Sequence, residues 1–241
     1  NWEAIIIDNN SIDNTQTIIE SYQDHRIKSY KIKNDGVIAL SRNLGIEKSN
    51  GEYISFLDSD DFWFPNKLER VLSYINSNYN LIYHSEIWKW NTNFEKLKYS
   101  RPVSNNFFRN LLFVGNSLST SAVTVERELM RRQSGFSVDR NFIGVEDYEL
   151  WLRLAKDQST SAFCINEPLG VFIVHAQSNS RKLQRQFNSE MNVLNYHFSN
   201  CYYKKFTDYI LFFIRICKCY LSYSIVGQLR LLIIRLLTLT S

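Results

Sequence analysis

Apolar and polar positions fall into blocks along the first third of the chain, and the blocks carry two different periods. Trp2 to Asp8 contains the unbroken apolar run Ala4-Ile5-Ile6-Ile7 and ends in a carboxylate, the pattern of a buried strand. Asn9-Asn10-Ser11 reads as a turn, and Ile12 to Tyr22 as a helix with Ile12, Ile18 and Ile19 among its apolar positions. Ile27 to Ile32 alternates as a short strand, and Asn34-Asp35-Gly36 is a turn. Val37 to Lys48 reads as a helix with Ile38, Leu40, Leu44 and Ile46 apolar, closed by Asn50-Gly51. Tyr53 to Leu57 is a second buried strand.

Strands alternating with helices predict an α/β domain with a mostly parallel central sheet flanked by helices. In such sheets ligands sit beyond the carboxyl ends of the strands. Two of those ends carry acids: Asp8, and the cluster Asp58-Ser59-Asp60-Asp61. Further along, Pro65 is expected to open a helix reaching about Asn76, suiting proline in a first turn. Leu81 to Trp90 is strand-like, residues 91–116 carry little pattern beyond a short helix at Phe107 to Phe113, and Ser119 to Val125 alternates as a strand. Glu126 to Arg132 and Glu146 to Lys156 read as helices, Phe163 to Ile165 and Leu169 to Val174 as strands, and the chain is helical from Lys182 onward.

Composition narrows the class. The 241 residues are 44% hydrophobic and 22% charged, enough to bury a core and too patterned for disorder. The net charge of +4 is unevenly placed: residues 201–241 hold six basic groups and one acid, so the rest of the chain sums to −1. The basic character therefore belongs to the tail, which points to an anionic surface and gives no reason to expect nucleic acid as a partner. Cys164, Cys201, Cys217 and Cys219 form no C-x-x-C pair, consistent with a reduced, cytoplasmic setting. No signal peptide is visible, and the run that begins almost at Asn1 reads as a start in mid-domain.

The acid cluster is the first candidate for chemistry. Three carboxylates in four residues repel one another unless water or a cation intervenes. Asp58 and Asp60, separated by a small residue, can offer oxygens to one hard cation, Mn²⁺ or Mg²⁺, completed by substrate phosphates. A solvated turn capping the next helix is the competing reading. It is weakened because the cluster follows an apolar strand at a ligand-binding rim.

Four ordered blocks then carry a resemblance. They are Asp8-Asn9-Asn10-Ser11-Ile12-Asp13-Asn14-Thr15, Ser41-Arg42-Asn43-Leu44-Gly45, the stretch Gly51 to Asp61, and Glu146-Asp147-Tyr148-Glu149-Leu150-Trp151-Leu152-Arg153. Together they resemble family 2 of the GT-A glycosyltransferases over residues 1–180, with the first strand missing. The resemblance implies the GT-A nucleotide-diphospho-sugar transferase fold and an inverting transfer from a nucleotide-diphosphate sugar, UDP-sugar favoured, to a saccharide or lipid-linked acceptor.

It also implies roles. Asp8 is expected to contact the donor base, with Asn9 beside it where relatives carry a second acid; an Asx turn onto Ser11 is the alternative. Asn10 stands where relatives carry glycine and can tolerate a left-handed backbone. Asp58 and Asp60 match the metal-binding D-x-D acids, and Asp58 also reaches the donor. Arg42 faces the donor as a fixed cation, or else pairs on the helix surface with an acid such as Glu47. Asp147 is the expected catalytic base, oriented and kept acidic by its helix N-terminus, or simply a cap with Glu146. Glu146 is assigned to the acceptor. His175 is a candidate third metal ligand or a loop histidine without that role. Trp151 reads as core.

Residues 181–241 form a helical, basic and apolar tail. Within residues 206–241 the longest uncharged run, Cys219 to Leu229, is 11 residues, short of the about 20 a spanning helix needs. An interfacial helix pair over 206–241 with snorkelling cations is expected, peripheral on the inner face of the cell membrane, against a hairpin packed on the domain. Two rivals to the transferase stand: an inactive glycosyltransferase-like scaffold or carbohydrate-binding module, and a sugar nucleotidyltransferase. The second should show a Gly-rich phosphate loop, and Glu146-Asp147 argues against it.

Overall fold

A computed structural model describes residues 1–75, 77–90, 94–174, 183–201 and 204–226. The first third follows the hydrophobic pattern. β1 (Ala4–Asp8) and β2 (Ile27–Lys31) pair in parallel, Asp8 opposite Lys31, joined through α1 (Thr15–Ser21). α1 is shorter than the apolar spacing suggests, because Ile12 lies in the preceding loop and is fully exposed. Asn10 takes φ +53° in that loop, the left-handed conformation that asparagine accommodates. α2 (Ile38–Lys48) follows, and then β3 (Tyr53–Ser55).

The larger sheet has the order β3-β7-β5-β8-β4, with β6 added to β5. Its members are β4 (Phe62–Trp63), β5 (Leu81–Trp90), β6 (Glu95–Lys98), β7 (Val123–Glu126) and β8 (Ala162–Val174). The α/β class stands, but the sheet is mixed and not mostly parallel. Only β5 with β8 is parallel here, whereas β3–β7, β5–β7, β5–β6 and β4–β8 are antiparallel. The strand–helix alternation that implies parallel pairing holds only in the first third; beyond it, direct returns such as β5 to β6 reverse the chain.

Two strands, β4 and β6, were hidden in the pattern. β4 occupies what reads as loop, and β8 is one strand where two seemed separate, because Asn166, Glu167 and Pro168 form an irregularity in its register with β5 rather than a break. The helix after Pro65 is α3 (Lys67–Ile75), and the 119–122 stretch is a 3₁₀ turn at Thr120–Ala122 before β7.

Helices α4 (Phe107–Val114), α5 (Arg127–Arg132) and α6 (Glu146–Lys156) complete the domain. α6 is the core helix: Leu150, Trp151, Leu152 and Leu154 are all fully buried. The tail contributes α7 (Leu183–Ser199) and α8 (Phe206–Leu221), continued by one π-helical turn at Ser222–Val226. Val193, Leu194, Phe198 and Cys219 share one apolar core with Trp151 and Leu112, so these helices pack on the domain as a hairpin. A buried Arg215–Glu190 ion pair and the Arg109–Asp208 pair tie them down. Residues 227–241 lie outside the described residues.

Candidate functional site

Arg42 stands at the centre of the site. α2 projects its guanidinium between two acids distant in sequence, donating to Asp58 at 2.9 and 3.1 Å and to Glu146 at 2.7 Å. It also lies over the Phe136 ring at 5.2 Å. Burial works against its charge, and Asp58, Glu146 and Asp147 more than offset that, so its pKa is raised. The alternative pairing with Glu47 is not seen; Glu47 takes Lys48 instead. The next residue, Asn43, fixes the geometry from below. Its amide donates to Phe136 O and accepts from Phe136 N, both at 2.8 Å. Gly135, at φ +67°, makes room for it: a Cβ there would meet Asn43 Oδ1 at 2.5 Å.

The acid cluster divides into three environments. Asp58 is half-buried and bound to Arg42, Asp60 is exposed, and Asp61 is buried. Asp61 turns inward, accepting from Ser121 Oγ at 2.6 Å and from Ile173 N at 2.9 Å. Burial pushes its pKa up to about 6. The Asp58 N–H donates to Ser121 Oγ at 3.0 Å, and the Asp61 N–H to Asp58 O at 3.0 Å, so the loop is a closed turn.

Glu146 and Asp147 open α6. Glu146 is buried with both oxygens engaged, one by Arg42 and the other by Gly144 N at 2.7 Å. The acceptor role read from sequence therefore meets a carboxylate that faces inward, onto Arg42. Asp147 accepts from Tyr148 N at 2.7 Å and from Thr120 Oγ1 at 3.4 Å. The helix N-terminus was expected to keep it acidic. Instead burial, reinforced by Glu146, raises its pKa against the opposing pull of Arg42.

Asp8 is 4% exposed at the end of β1. One oxygen accepts from Ser11 N at 3.0 Å, the Asx turn considered above, and hydrogen bonding from Ser11 holds its pKa below the usual carboxylate range. The other oxygen, Oδ2, is buried with no partner. Asn9 accepts from Asn34 N at 2.9 Å, joining the loops that follow β1 and β2. His175 lies outside the described residues.

One guanidinium thus faces Asp58, Glu146 and Asp147, with Asp60 at the rim, leaving an excess of negative charge. Among the described residues no group of three His, Cys, Asp or Glu side chains is arranged to hold a metal unaided. The donor set is nonetheless all carboxylate oxygen, suited to a hard divalent cation that shares its sphere with phosphate.

Several residues of the site escaped the sequence reading. Thr120 and Ser121 sit in a hydroxyl-rich stretch that reads as alternating strand. Trp63 donates to Ser121 O at 2.7 Å. Lys67 is fully buried with its ammonium 3.8 Å from the Trp63 ring and 3.1 Å from Thr124 Oγ1. Their partners lie some sixty positions away, beyond the reach of periodicity.

Comparison with known proteins adds the family context. Residues 1–133 match the model of "Glycosyl transferase family 2". The chain is 31% identical over 170 residues to the Escherichia coli UDP-Glc:alpha-D-GlcNAc-diphosphoundecaprenol beta-1,3-glucosyltransferase WfgD, covering 67% of this chain and 61% of that one. It is 40% identical over 76 residues to the putative teichuronic acid biosynthesis glycosyltransferase TuaG of Bacillus subtilis, 31% of this chain and 30% of that one. Among solved structures, S. aureus TarS 1-349 with UDP superposes with a TM-score of 0.66 at 14% identity, over 92% of this chain and 63% of that one. The mannosyltransferase PcManGT from Pyrobaculum calidifontis, with GDP-Man and Mn²⁺, gives 0.60 at 15%, over 95% and 62%. These two likenesses establish the GT-A fold.

Proposed function

The chain belongs to glycosyl transferase family 2, and on that premise we propose that it carries an inverting transfer of a sugar from a nucleotide-diphosphate sugar to an acceptor hydroxyl. The observation that carries the proposal is Arg42, which joins the Asp58 loop to the Glu146-Asp147 helix end in one place. Asp58 and Asp147 both act electrostatically on that guanidinium, which supports a donor-side and a base-side carboxylate in one site.

The roles follow from the chemistry of each group. Asp8 Oδ2, buried and unpartnered, accepts an N–H of the donor base; uracil offers one, and a UDP-sugar is proposed from the name of the WfgD relative. Asn9 holds the loop that shapes this end. Asp58 and Asp60 would hold Mn²⁺ or Mg²⁺. A cation there would neutralise the diphosphate and improve it as a leaving group. Arg42 presents fixed positive charge, and Glu146 positions Arg42.

Asp147 is the base. The acceptor's hydroxyl proton passes to an Asp147 oxygen as the acceptor oxygen bonds to the anomeric carbon. The bond from that carbon to the donor phosphate oxygen breaks, the nucleoside diphosphate leaves with the electron pair, and the configuration inverts. A carboxylate with a raised pKa is the stronger base for this step.

The chain spans 61% of the length of WfgD and 35% of a Rickettsia felis relative, so acceptor and setting are proposed from the relatives' names: a saccharide or a lipid-linked sugar, in assembly of surface polysaccharide or glycolipid. No helix among the described residues is long and apolar enough to cross a membrane. α8 instead exposes Phe206, Tyr209, Ile210, Phe213, Ile214 and Tyr220, with Lys204 and Lys205 at its start and Lys218 within it. We propose that this face rests on an anionic membrane surface.

The test is a panel of nucleotide-sugars, with nucleoside diphosphate release followed with and without Mn²⁺. Release from one donor class, stimulated by Mn²⁺, is expected. No release from any donor, with or without an added acceptor, would favour a non-catalytic scaffold.

A further inference from the structure

The 3₁₀ turn Thr120–Ala122 touches both halves of the site through adjacent buried hydroxyls. Ser121, 2% exposed, is a hub with three bonds. Its Oγ accepts from Asp58 N at 3.0 Å and donates to Asp61 Oδ2 at 2.6 Å, and its carbonyl accepts from Trp63 Nε1 at 2.7 Å. These three partners are the start of the acid loop, its end, and the strand that follows. Thr120, 5% exposed, directs its hydroxyl to Asp147 Oδ2 at 3.4 Å.

The turn is rigidly held in its own right. It leads into β7, which pairs with β3 on one side and β5 on the other. Trp63 is covered by the buried Lys67 ammonium, which bonds Thr124 on β7, and Thr124 bonds Ser55 on β3 at 2.7 Å. Two neighbouring residues on a braced turn therefore reach Asp58 and Asp61 on one side and Asp147 on the other.

We infer that the Thr120–Ala122 turn is the positioning element of this site: Ser121 sets the shape of the Asp58–Asp61 loop and Thr120 sets the orientation of Asp147. The inference rests on the transferase reading for its catalytic meaning, while the hydrogen bonds can be tested without it. Neither residue touches donor or acceptor; both act through the acids they hold. A loop fixed by Ser121 presents Asp58 and Asp60 without having to be ordered when the donor arrives. The Tyr148 amide on Oδ1 and the Thr120 hydroxyl on Oδ2 together define the rotamer of Asp147.

Three variants of the full chain test it: Ser121→Ala, Thr120→Val and Thr120→Ser, the last restoring the hydroxyl. Amide hydrogen exchange reads the first bond directly and needs no ligand. The Asp58 amide should exchange at least about tenfold faster in S121A and at the wild-type rate in T120V, since one lost hydrogen bond of about 1.4 kcal/mol is a factor of ten. For function, S121A should weaken UDP binding in Mn²⁺ by roughly 10–100-fold, the usual cost of losing a group behind a ligand. T120V should bind UDP as wild type does, lower kcat about tenfold with an unchanged donor KM, and recover in T120S. Wild-type exchange at Asp58 in S121A overturns the inference whether or not the protein binds UDP. Unchanged kcat in T120V, or loss that T120S does not restore, overturns the Thr120 part. A wild-type protein that binds no UDP sinks the transferase reading instead, and the exchange result still decides whether Ser121 shapes the loop.

Discussion

Arg42 and Glu146, 104 positions apart in the chain, meet at 2.7 Å in a nearly buried ion pair. The pair brings the acid loop and the α6 end to one point, because the same guanidinium holds Asp58. Breaking a buried pair by removing one partner leaves the other charge stranded, a larger effect than losing the contact itself. Arg42→Gln should therefore release Asp58 and Glu146 together and lower kcat/KM by roughly 10²–10³, the range for a lost charge-stabilising donor. Arg42→Lys should not recover it, since an ammonium cannot span two acids with a planar fork. Steady-state kinetics on the preferred donor checks both, and activity near wild type in R42K would contradict the bridging role.

Asp147→Asn removes the proposed proton acceptor while keeping size and the hydrogen bond to Tyr148. Transfer should fall by roughly 10²–10⁴, the usual contribution of a general base, with the donor KM little changed. The pH dependence carries the sign. A base works deprotonated, and burial raises the Asp147 pKa, so kcat/KM should rise with pH through a limb above the about 4 of an ordinary aspartate. A wild-type profile flat down to about pH 4, where an ordinary aspartate would titrate, would exclude a raised carboxylate as base.

Lys67 is buried without a carboxylate partner among its described contacts, and burial lowers its pKa to about 7. In the unfolded chain it returns to about 10.4. Between those values the unfolded chain binds a proton that the folded one does not, so stability rises with pH across that window. Below it both states are charged and the burial penalty is fully present. Lys67→Met should be more stable than wild type at about pH 6, and the difference should shrink by up to about 1.4 kcal/mol per pH unit above pH 7. Urea unfolding at several pH values measures it, and a difference independent of pH would contradict the reading.

The outward face of α8 should carry the protein to anionic vesicles and not to neutral ones. Phe213, 66% exposed there, is the probe. Phe213→Glu should reduce co-sedimentation with phosphatidylglycerol vesicles several-fold without lowering donor turnover in solution, and added salt should weaken wild-type binding as Lys204, Lys205 and Lys218 are screened. Equal binding of wild type and F213E would contradict this face as the contact.

Much of the site was legible because its acids terminate apolar runs. Asp8 ends the half-buried β1 and Asp58 lies just past the half-buried β3, at the carboxyl ends of strands where open sheets bind ligands. Glu146-Asp147 was legible only through its resemblance to a family, since the same two residues also make a good helix start. What stayed hidden was long-range. Nothing local marks Ser121 as the partner of Asp58, or Asn43 as the clamp on Phe136, because each contact depends on sheet order. The mixed sheet escaped for the same reason: alternation of elements says little about direction once the chain begins to return upon itself.

The proposal that Asp8, Asp58 and Asp60 serve one donor site is tested most directly by calorimetry of UDP with and without Mn²⁺. Wild-type protein should bind UDP and bind it at least about tenfold more tightly with Mn²⁺, a difference of about 1.4 kcal/mol. Asp58→Asn should lose that gain, and Asp147→Asn should keep it. UDP binding that is absent, or indifferent both to Mn²⁺ and to the loss of Asp58, would contradict the account.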